Sequence, residues 1–479
     1  MKKFLVSALG VLLPLILFSQ GSALRDLLAD PVMQHASVSY CLMDPNSDSV
    51  TAEFNSEKSL IPASVFKIIT TSAALELLGP GHIFKTTVGY TGTLIKGSGL
   101  LTGDIIIKGG GDPVLGSDSF PDTYSGFIDR WVTAIKNLEI KSITGSVITD
   151  DSYFDYLPVP GKWLWEDEGN YYGAGAYGLS VFDNTYDIHF KTSSDGTIPV
   201  ITGITRETGT DLTNRLIAAG TTDRGFVFAA PYSKIGWLAG SIPANADDFI
   251  LKAALPDPPM TMAQAVDKKL RSAGIIIKGQ PATTRILNIS LPDSALTPVI
   301  STVSPPLKEI IKVLNKNSVN LYSEHLLKEL GKAYGNDGSA GSGIEVLYRF
   351  LASTGLDTGS IFIEDGSGLS TFDAVDAGTI ANLLCYMKNK GNYFNDFYAS
   401  LPLAGAEGTL KRWFRDPVFS SRIKAKSGSM TRVRSYAGYI TTLSGNDLVF
   451  CIIINNYLGP PDHTVHLIEN ILKEVILYK

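Results

Sequence analysis

One stretch, with a serine and a lysine at the start of a long apolar run, constrains this chain more than any other feature. Ser64 and Lys67 stand three residues apart, so a helix places both side chains on one face. The run continues to Leu78 and is apolar nearly all round, as in a buried central helix, and Gly79 ends it. Such a lysine either reaches out to water or, partly desolvated, takes the proton from Ser64. A lone Ser-x-x-Lys does not decide between the two.

Composition sets broad limits on the function. The chain has 479 residues, 44% hydrophobic and 18% charged, which suits a globular protein of two or three domains. The net charge is -6 and no basic block occurs, so nucleic-acid binding is not expected. Three cysteines form no disulfide framework, and Cys451 lies among strand residues and is predicted to be a buried thiol. Six scattered histidines show no ligand spacing, so neither a metal nor another cofactor is expected.

Residues 1–23 have the pattern of a secretory signal peptide. Two lysines precede the apolar residues 4–18, and small residues follow, with cleavage expected within residues 19–23. The apolar run is short for a membrane span, and no later stretch is long and apolar enough. We therefore expect an exported, periplasmic protein without a transmembrane domain after signal removal, and leave loose membrane association open.

The character of the chain changes twice after the Ser64 helix. From residue 84 to residue 288, strand-like pieces alternate with glycine-rich turns. From Pro305 helical patterns dominate, until two strands at residues 435–442 and 447–457 and a closing helix. The apolar stripe of that helix could lie on a membrane, but its place directly after two core strands favours packing on the sheet.

Two tripeptides in the C-terminal part extend the pattern that the Ser64 helix begins. Ser-Val-Asn at residues 318–320 falls in a short link between predicted helices, where side chains can point into a cleft. Lys-Ser-Gly at residues 426–428 lies on a predicted strand, and its glycine lets a substrate backbone approach the strand edge. Each tripeptide alone says little, but the order Ser-x-x-Lys, Ser-x-Asn, Lys-(Thr/Ser)-Gly is specific.

With these motifs the sequence resembles the penicillin-recognising serine enzymes. Within them it resembles the class C low-molecular-mass penicillin-binding proteins, the D-alanyl-D-alanine carboxypeptidases/endopeptidases of bacterial cell walls. This subfamily has a large insertion where Ser64 and Ser318 stand far apart in this chain. Residues 107–113, 365–370 and 408–412 resemble it too, so the likeness spans nearly the whole mature chain.

The resemblance implies both a fold and a division of the chain. The expected fold is α/β (α+β) and transpeptidase/β-lactamase-like, with an antiparallel five-stranded sheet flanked by helices and a large β-rich insertion. Residues 24–84 and 295–479 would form the penicillin-binding catalytic domain. Residues 85–294 would form the inserted region, of one or two modules.

The resemblance also implies catalytic roles. Ser64 is expected to attack the carbonyl between the last two D-alanines, with Lys67 as the general base. The backbone N–H groups of Ser64 and Ser429 would form the oxyanion hole. Ser318, aided by Lys426, would pass a proton to the leaving amine.

Further motif residues are expected to bind substrate. Asn320 would hydrogen-bond the substrate's backbone amide and help to hold the general base. Lys426 and the hydroxyls of Ser427 and Ser429 would bind the terminal carboxylate, and Gly428 would admit the substrate backbone. Ser427 stands where the subfamily usually has threonine, but it keeps the hydroxyl.

The predicted function is a serine-type D-Ala-D-Ala carboxypeptidase that acts on peptidoglycan stem peptides and is acylated by β-lactams, with DD-endopeptidase activity left open. From its position, the insertion near Asp150 and Phe154 is predicted to contribute to binding the third residue of the peptide. One alternative is a β-lactamase, which is disfavoured because no Glu-x-x-Leu-Asn lies between Asn320 and Lys426. Another is a non-catalytic wall-peptide binder of the same fold. The sequence leaves the oligomeric state open.

Overall fold

The computed structural model describes residues 21–478, so most of the predicted signal peptide lies outside the described residues. The α-helices are α1 (Ser22–Ala29), α2 (Lys67–Leu78), α3 (Pro121–Tyr124), α4 (Phe127–Lys136), α5 (Trp165–Glu168), α6 (Pro258–Ser272), α7 (Thr284–Leu287), α8 (Leu307–Asn317), α9 (Asn320–Tyr334), α10 (Ala340–Ser353), α11 (Ala377–Asn389), α12 (Phe394–Ser400) and α13 (Pro461–Tyr478). The strands are β1 (Ser37–Asp44), β2 (Ser49–Phe54), β3 (Lys85–Tyr90), β4 (Thr93–Ile95), β5 (Leu100–Thr102), β6 (Ile105–Lys108), β7 (Ser142–Ile143), β8 (Val147–Asp150), β9 (Thr185–Lys191), β10 (Val200–Ile204), β11 (Asp211–Asn214), β12 (Ile217–Ala218), β13 (Arg224–Phe228), β14 (Ile235–Ile242), β15 (Phe249–Ala254), β16 (Ile276–Ile277), β17 (Ala282–Thr283), β18 (Thr297–Val303), β19 (Ile423–Met430), β20 (Val433–Thr441) and β21 (Asp447–Asn455).

A five-stranded antiparallel sheet, built from both ends of the chain, is the centre of the fold. Its strand order is β19-β20-β21-β1-β2. Strand β21 is buried along nearly its whole length, since apolar clusters lie on both faces of the sheet. This explains why its sequence is continuously apolar rather than alternating. The predicted sheet is confirmed, and β19 forms one of its edges.

Helix α13 covers one face of the sheet. Its buried stripe joins α1 and alternate residues of β1, β20 and β21 in one apolar cluster, which confirms that this helix packs on the sheet. The carboxylate of Glu474 accepts hydrogen bonds from the backbone N–H groups of Ser22 (2.9 Å) and Ala23 (2.6 Å), and so caps α1. Among residues 21–478, no helix has the length and apolar character needed to cross a bilayer.

Helix α2 lies in the middle of the core on the other face. A 3-10 turn at Ala63–Phe66 precedes it, and every residue from Lys67 to Leu75 is buried. Helices α8 to α12 surround it, so apolar side chains on all its sides find partners. The predicted buried central helix is confirmed.

The chain between α2 and α8 is rich in strands. Two of its sheets, β17-β8-β6-β3-β18 and β16-β7-β5-β4, share the apolar core that contains α2. Residues 185–254 form a separate lobe, here called the β9–β15 lobe, with its own apolar core. The ends of this lobe are adjacent, because the Leu255 N–H donates to the Asn184 carbonyl at 2.7 Å.

Candidate active site

Ser64 and Lys67 meet where the 3-10 turn passes into α2. The Lys67 Nζ lies 2.9 Å from the Ser64 Oγ. It also donates to the Asn320 Oδ1 at 2.6 Å and to the Ser367 carbonyl at 2.7 Å. Lys67 is completely buried, whereas Ser64 is partly exposed. The lysine therefore lies beneath the serine and is not a side chain that reaches out to water.

The protonation of Lys67 is set by burial. Loss of water around the ammonium lowers the pKa of Lys67 to about 8, against the opposing effect of three nearby carboxyl groups, those of Asp365, Glu324 and Asp373. An amine with this pKa is neutral in a useful fraction of molecules near neutral pH. The neutral form is the one that can accept the Ser64 proton.

The loop at residues 365–370 holds Lys67 in place. The buried Asp365 carboxylate accepts hydrogen bonds from three backbone N–H groups of this loop and from the Trp163 indole (2.7 Å). The Gly366 carbonyl accepts from the hydroxyls of Thr70 and Ser323, both at 2.6 Å. The loop is thus fixed to α2 and α9, with a carbonyl aimed at Lys67. In the sequence, this segment stands out only as part of the family resemblance.

Ser318 and Lys426 form a second serine–lysine pair. The Lys426 Nζ donates to the Ser318 Oγ and to the Ser427 carbonyl, both at 2.8 Å. Ser318 ends α8 with a φ of 59°, a left-handed conformation that is uncommon for a non-glycine residue and typical of functional sites. Burial, together with the nearby charge of Lys67, holds the pKa of Lys426 well below its usual range.

Asn320 joins α9 to the inserted region. Its Oδ1 accepts from Lys67, and its Nδ2 donates to the Tyr172 carbonyl at 2.8 Å. Asn320 thus contacts Lys67 directly, and its predicted role in holding a general base stays a prediction. The second contact has no signal in the sequence, since Tyr172 and Asn320 lie 148 residues apart.

Strand β19 runs along the cleft. The Ser427 Oγ donates to the Thr409 Oγ1 at 2.7 Å, which links the strand to the segment at residues 408–412. Ser429 is exposed at the rim, and the Arg434 guanidinium, opposite it in the ladder with β20, contacts its hydroxyl. Arg434 was not among the residues predicted for the site. The tight turn between two strand-like segments was the signal that could have found it, because it fixes the register.

A cleft of about 1110 Å³ opens over these residues. Six of the eight predicted site residues line the cleft: Ser64, Ser318, Asn320, Ser427, Gly428 and Ser429. The other two, Lys67 and Lys426, are buried beneath it. The structure thus brings all eight together, and their individual roles stay predictions. One wall is basic and includes Lys411, Arg412, Arg415 and Arg434, while the inserted region supplies Leu164, Glu166, Asp167, Tyr171, Tyr172 and Phe226.

The structure gives no support at Asp150 and Phe154 themselves for the prediction that the insertion near them binds the third residue of the peptide. Neither residue lines the cleft. Asp150 is 2% exposed and accepts a hydrogen bond from Thr284, and Phe154 is 3% exposed and packs against the His325 ring. Position within the insertion was too weak a signal, since only the fold decides which of its segments reach the cleft.

Comparison with known proteins agrees with this geometry. Residues 20–469 match the model of the D-Ala-D-Ala carboxypeptidase 3 (S13) family. A D-alanyl-D-alanine carboxypeptidase of Actinomadura sp. (strain R39) is 26% identical, over 94% of this chain and 86% of that protein. The crystal structure of penicillin binding protein 4 (dacB) from Haemophilus influenzae has a TM-score of 0.81 at 22% identity, covering 96% of this chain and 100% of that one. A second crystal structure of that protein, complexed with a β-lactam, has a TM-score of 0.75 at 21% identity, covering 95% and 99%. The family resemblance of the three motifs is confirmed, and the chain belongs to the D-Ala-D-Ala carboxypeptidase 3 (S13) family.

Proposed function

We propose that this protein is a serine-type D-alanyl-D-alanine carboxypeptidase that acts on peptidoglycan stem peptides through an acyl-enzyme on Ser64. The observation that carries the proposal is the buried Lys67 amine, with its pKa lowered to about 8, at 2.9 Å from the Ser64 Oγ. Such a pair can generate a serine nucleophile near neutral pH. Membership of the S13 family supports the peptide between two D-alanines as the bond that is cleaved.

Acylation begins with proton transfer from Ser64. The three hydrogen bonds of Lys67 are those of an ammonium, so the amine must first lose one proton, which costs about 1.4 kcal/mol for each pH unit below its pKa. The Ser64 Oγ then bonds to the penultimate D-alanine carbonyl carbon as its proton moves to Lys67. The backbone N–H groups of Ser64 and Ser429 hold the oxyanion.

Collapse of the tetrahedral intermediate breaks the peptide C–N bond. The leaving amine of the last D-alanine takes a proton from Ser318, which is replenished from Lys426 at 2.8 Å. Before deacylation, Lys67 passes the Ser64 proton to Lys426 through solvent in the cleft, so that Lys67 is again neutral and Lys426 is again an ammonium. Water then attacks the ester carbonyl as Lys67 accepts a proton from it, and that proton returns to the Ser64 Oγ when the ester C–O bond breaks. Atoms and protons balance, and the products are free D-alanine and the shortened peptide.

The terminal carboxylate of the substrate binds at β19. The hydroxyls of Ser427 and Ser429 face the cleft, and Lys426 lies beneath them. The Arg434 guanidinium, in contact with the Ser429 hydroxyl, adds a cation that can hold a carboxylate in a charge-assisted hydrogen bond. This cationic end favours peptides with a free C-terminus.

The same chemistry extends to two further aspects of the function. The cleft is larger than the roughly 300–1,000 Å³ of common small-molecule pockets, which supports DD-endopeptidase activity on cross-linked peptides with a longer leaving group. The β-lactam complex of the Haemophilus influenzae protein supports acylation of Ser64 by β-lactams. The predicted signal peptide supports action in the periplasm.

We also propose that residues 24–84 and 295–479 form the catalytic domain and that residues 85–294 form an insertion in it.

The decisive measurement is intact mass after mixing the mature protein with penicillin, beside a Ser64→Ala variant. We expect a lasting adduct on the native protein and none on the variant. Release of D-alanine from a pentapeptide by the native protein alone would complete the assignment. Penicillin consumed without a lasting adduct would instead indicate a β-lactamase. A native protein with neither adduct nor turnover would indicate a non-catalytic binder.

A further inference from the structure

Three aromatic side chains form an exposed patch at the rim of the active-site cleft. This aromatic ledge consists of Trp165 from α5, Phe228 from β13 and Trp237 from β14. The Trp165 ring centroid lies 4.8 Å from that of Phe228 and 5.2 Å from that of Trp237. Trp165 is 53% exposed and Trp237 is 38% exposed. Large aromatic side chains left this open to water indicate a binding surface rather than a core.

The sheet of the β9–β15 lobe explains why these rings face outward. Strand residues alternate between two faces, and Val227 and Leu238 point into the apolar core of the lobe. Phe228 and Trp237 are paired across β13 and β14 and so share the opposite face, where their rings stack. The rings of the ledge are therefore not needed to fill that core.

The ledge is continuous with the cleft. Trp165 stands between Leu164 and Glu166, which both line the cleft. On the other side, the Phe226 ring lines the cleft and lies 6.3 Å from the Phe228 ring. A molecule that is bound in the cleft and extends past the inserted region would meet the ledge next.

Polar groups beside the ledge suit a sugar. Asp211 and Thr213 are exposed on β11, and Thr213 is the register partner of Trp237, so a hydroxyl and a carboxylate flank the indole. Pyranose rings combine a C–H face that stacks on an indole with hydroxyl and amide edges that need such partners. The acidic residues of α5, Glu166, Asp167 and Glu168, disfavour an anionic lipid surface.

We propose that the aromatic ledge binds the glycan strand, a polymer of N-acetylated hexosamines, that carries the stem peptide held in the cleft. The proposal rests on the proposed function for the identity of the substrate. Four extended residues of a stem peptide span only about 14 Å, so the sugar that carries the peptide has to bind close to the cleft. Two half-exposed tryptophans offer far less than the roughly 800 Å² per partner of a stable protein interface, but enough for one or two sugar rings.

Binding is tested with glycan strands stripped of their peptides, which cannot occupy the catalytic residues as substrate. We expect the native protein to retain these strands and Trp237→Ala to bind them about five- to tenfold more weakly. Phe362→Ala, which truncates a 58% exposed aromatic outside the ledge, is the matched control and should bind like the native protein. A tetramer of N-acetylglucosamine should compete with the stripped strands for binding to the native protein, and this measurement needs no variant.

Kinetics distinguish this proposal from the proposed function. With free pentapeptide, Trp237→Ala should match the native kcat/KM, whereas with glycan-linked pentapeptide it should have a raised KM and an unchanged kcat. Equal losses on both substrates, or native protein that does not bind stripped glycan, would overturn the ledge proposal. The ledge proposal would also be overturned, in favour of a membrane surface, if the native protein bound no glycan but sedimented with phosphatidylglycerol vesicles and Trp237→Ala did not. Native protein that binds glycan but leaves free pentapeptide intact would refute the proposed activity alone.

Discussion

At the scale of single residues, burial decides the chemistry of the cleft. Lys67 and Lys426 are both completely buried, and burial lowers the pKa of each. At Lys426 the charge of Lys67 adds to this effect, because like charges repel, and it favours the neutral form of Lys426. Each lysine has a serine hydroxyl within 2.9 Å. The site therefore contains two serine–lysine pairs that can transfer protons. The fraction of each lysine in the protonation state needed for that transfer depends on pH.

The rate of penicillin acylation should rise with pH and level off above about 8. Only neutral Lys67 can accept the Ser64 proton, and the pKa of Lys67, lowered to about 8 by burial, places that form in the minority below this pH. We expect a slope of about tenfold per pH unit below about pH 7. Stopped-flow measurement of the second-order rate constant would record it, with circular dichroism at each pH to show that the fold is retained. A flat profile between about pH 6 and about pH 9 would contradict a lysine base.

At the scale of elements, the site depends on how closely β19 lies against the turn that carries Ser64. A Cβ on Gly428 would lie 2.6 Å from the Pro62 carbonyl oxygen and 3.0 Å from the Ser64 backbone nitrogen, and would clash with the Ser435 hydroxyl. Glycine is therefore required at this close approach of two backbones. The strand and the turn together set the position of the nucleophile relative to the oxyanion-hole donors.

Gly428→Ala should destabilise the protein and slow acylation. The added methyl group must push β19 away from the Ser64 turn, which costs about 1–3 kcal/mol in unfolding free energy. The displaced nucleophile should lose at least about tenfold in acylation rate. Gly97→Ala is the control, because a Cβ there meets no atom within 4 Å. Denaturant unfolding and penicillin acylation measure both effects, and a Gly428→Ala protein that behaves like Gly97→Ala would refute the packing argument.

At the scale of the whole molecule, the apolar core around α2 is separate from the apolar core of the β9–β15 lobe. Helix α2, its neighbouring helices and the first two sheets of the insertion share one core, so the catalytic site and part of the insertion are stabilised together. The β9–β15 lobe has a core of its own and contributes the ledge and Phe226 at the cleft rim. Perturbing the lobe should therefore affect the site far less than perturbing the shared core.

Equal truncations in the two cores should have different consequences. Leu238→Ala in the lobe and Leu327→Ala in α9 both empty a fully buried position, at a cost of about 2–5 kcal/mol. We expect Leu238→Ala to lose hydrogen-exchange protection within residues 185–254 while it keeps near-native acylation by penicillin. Leu327→Ala should lose protection around α2 and slow acylation. Loss of protection throughout the molecule in Leu238→Ala would show that the lobe does not unfold as a separate unit.

The three motifs, the buried central helix, the strands at both ends of the chain and the packing of the closing helix were all predictable from the sequence. Each depends on local spacing or periodicity, which the backbone geometry of helices and strands translates directly into facing side chains. The family and the enzyme class followed from the order of the motifs, and the comparisons confirm both.

The tertiary structure alone decided which segments of the insertion reach the cleft. It replaced Asp150 and Phe154 with residues 164–172 and Phe226, and it brought the Asp365 loop to Lys67. These contacts join segments separated by long loops or by other elements, and periodicity carries no information about which of them meet. The lowered pKa of Lys67 has the same origin, because burial by distant parts of the chain causes it.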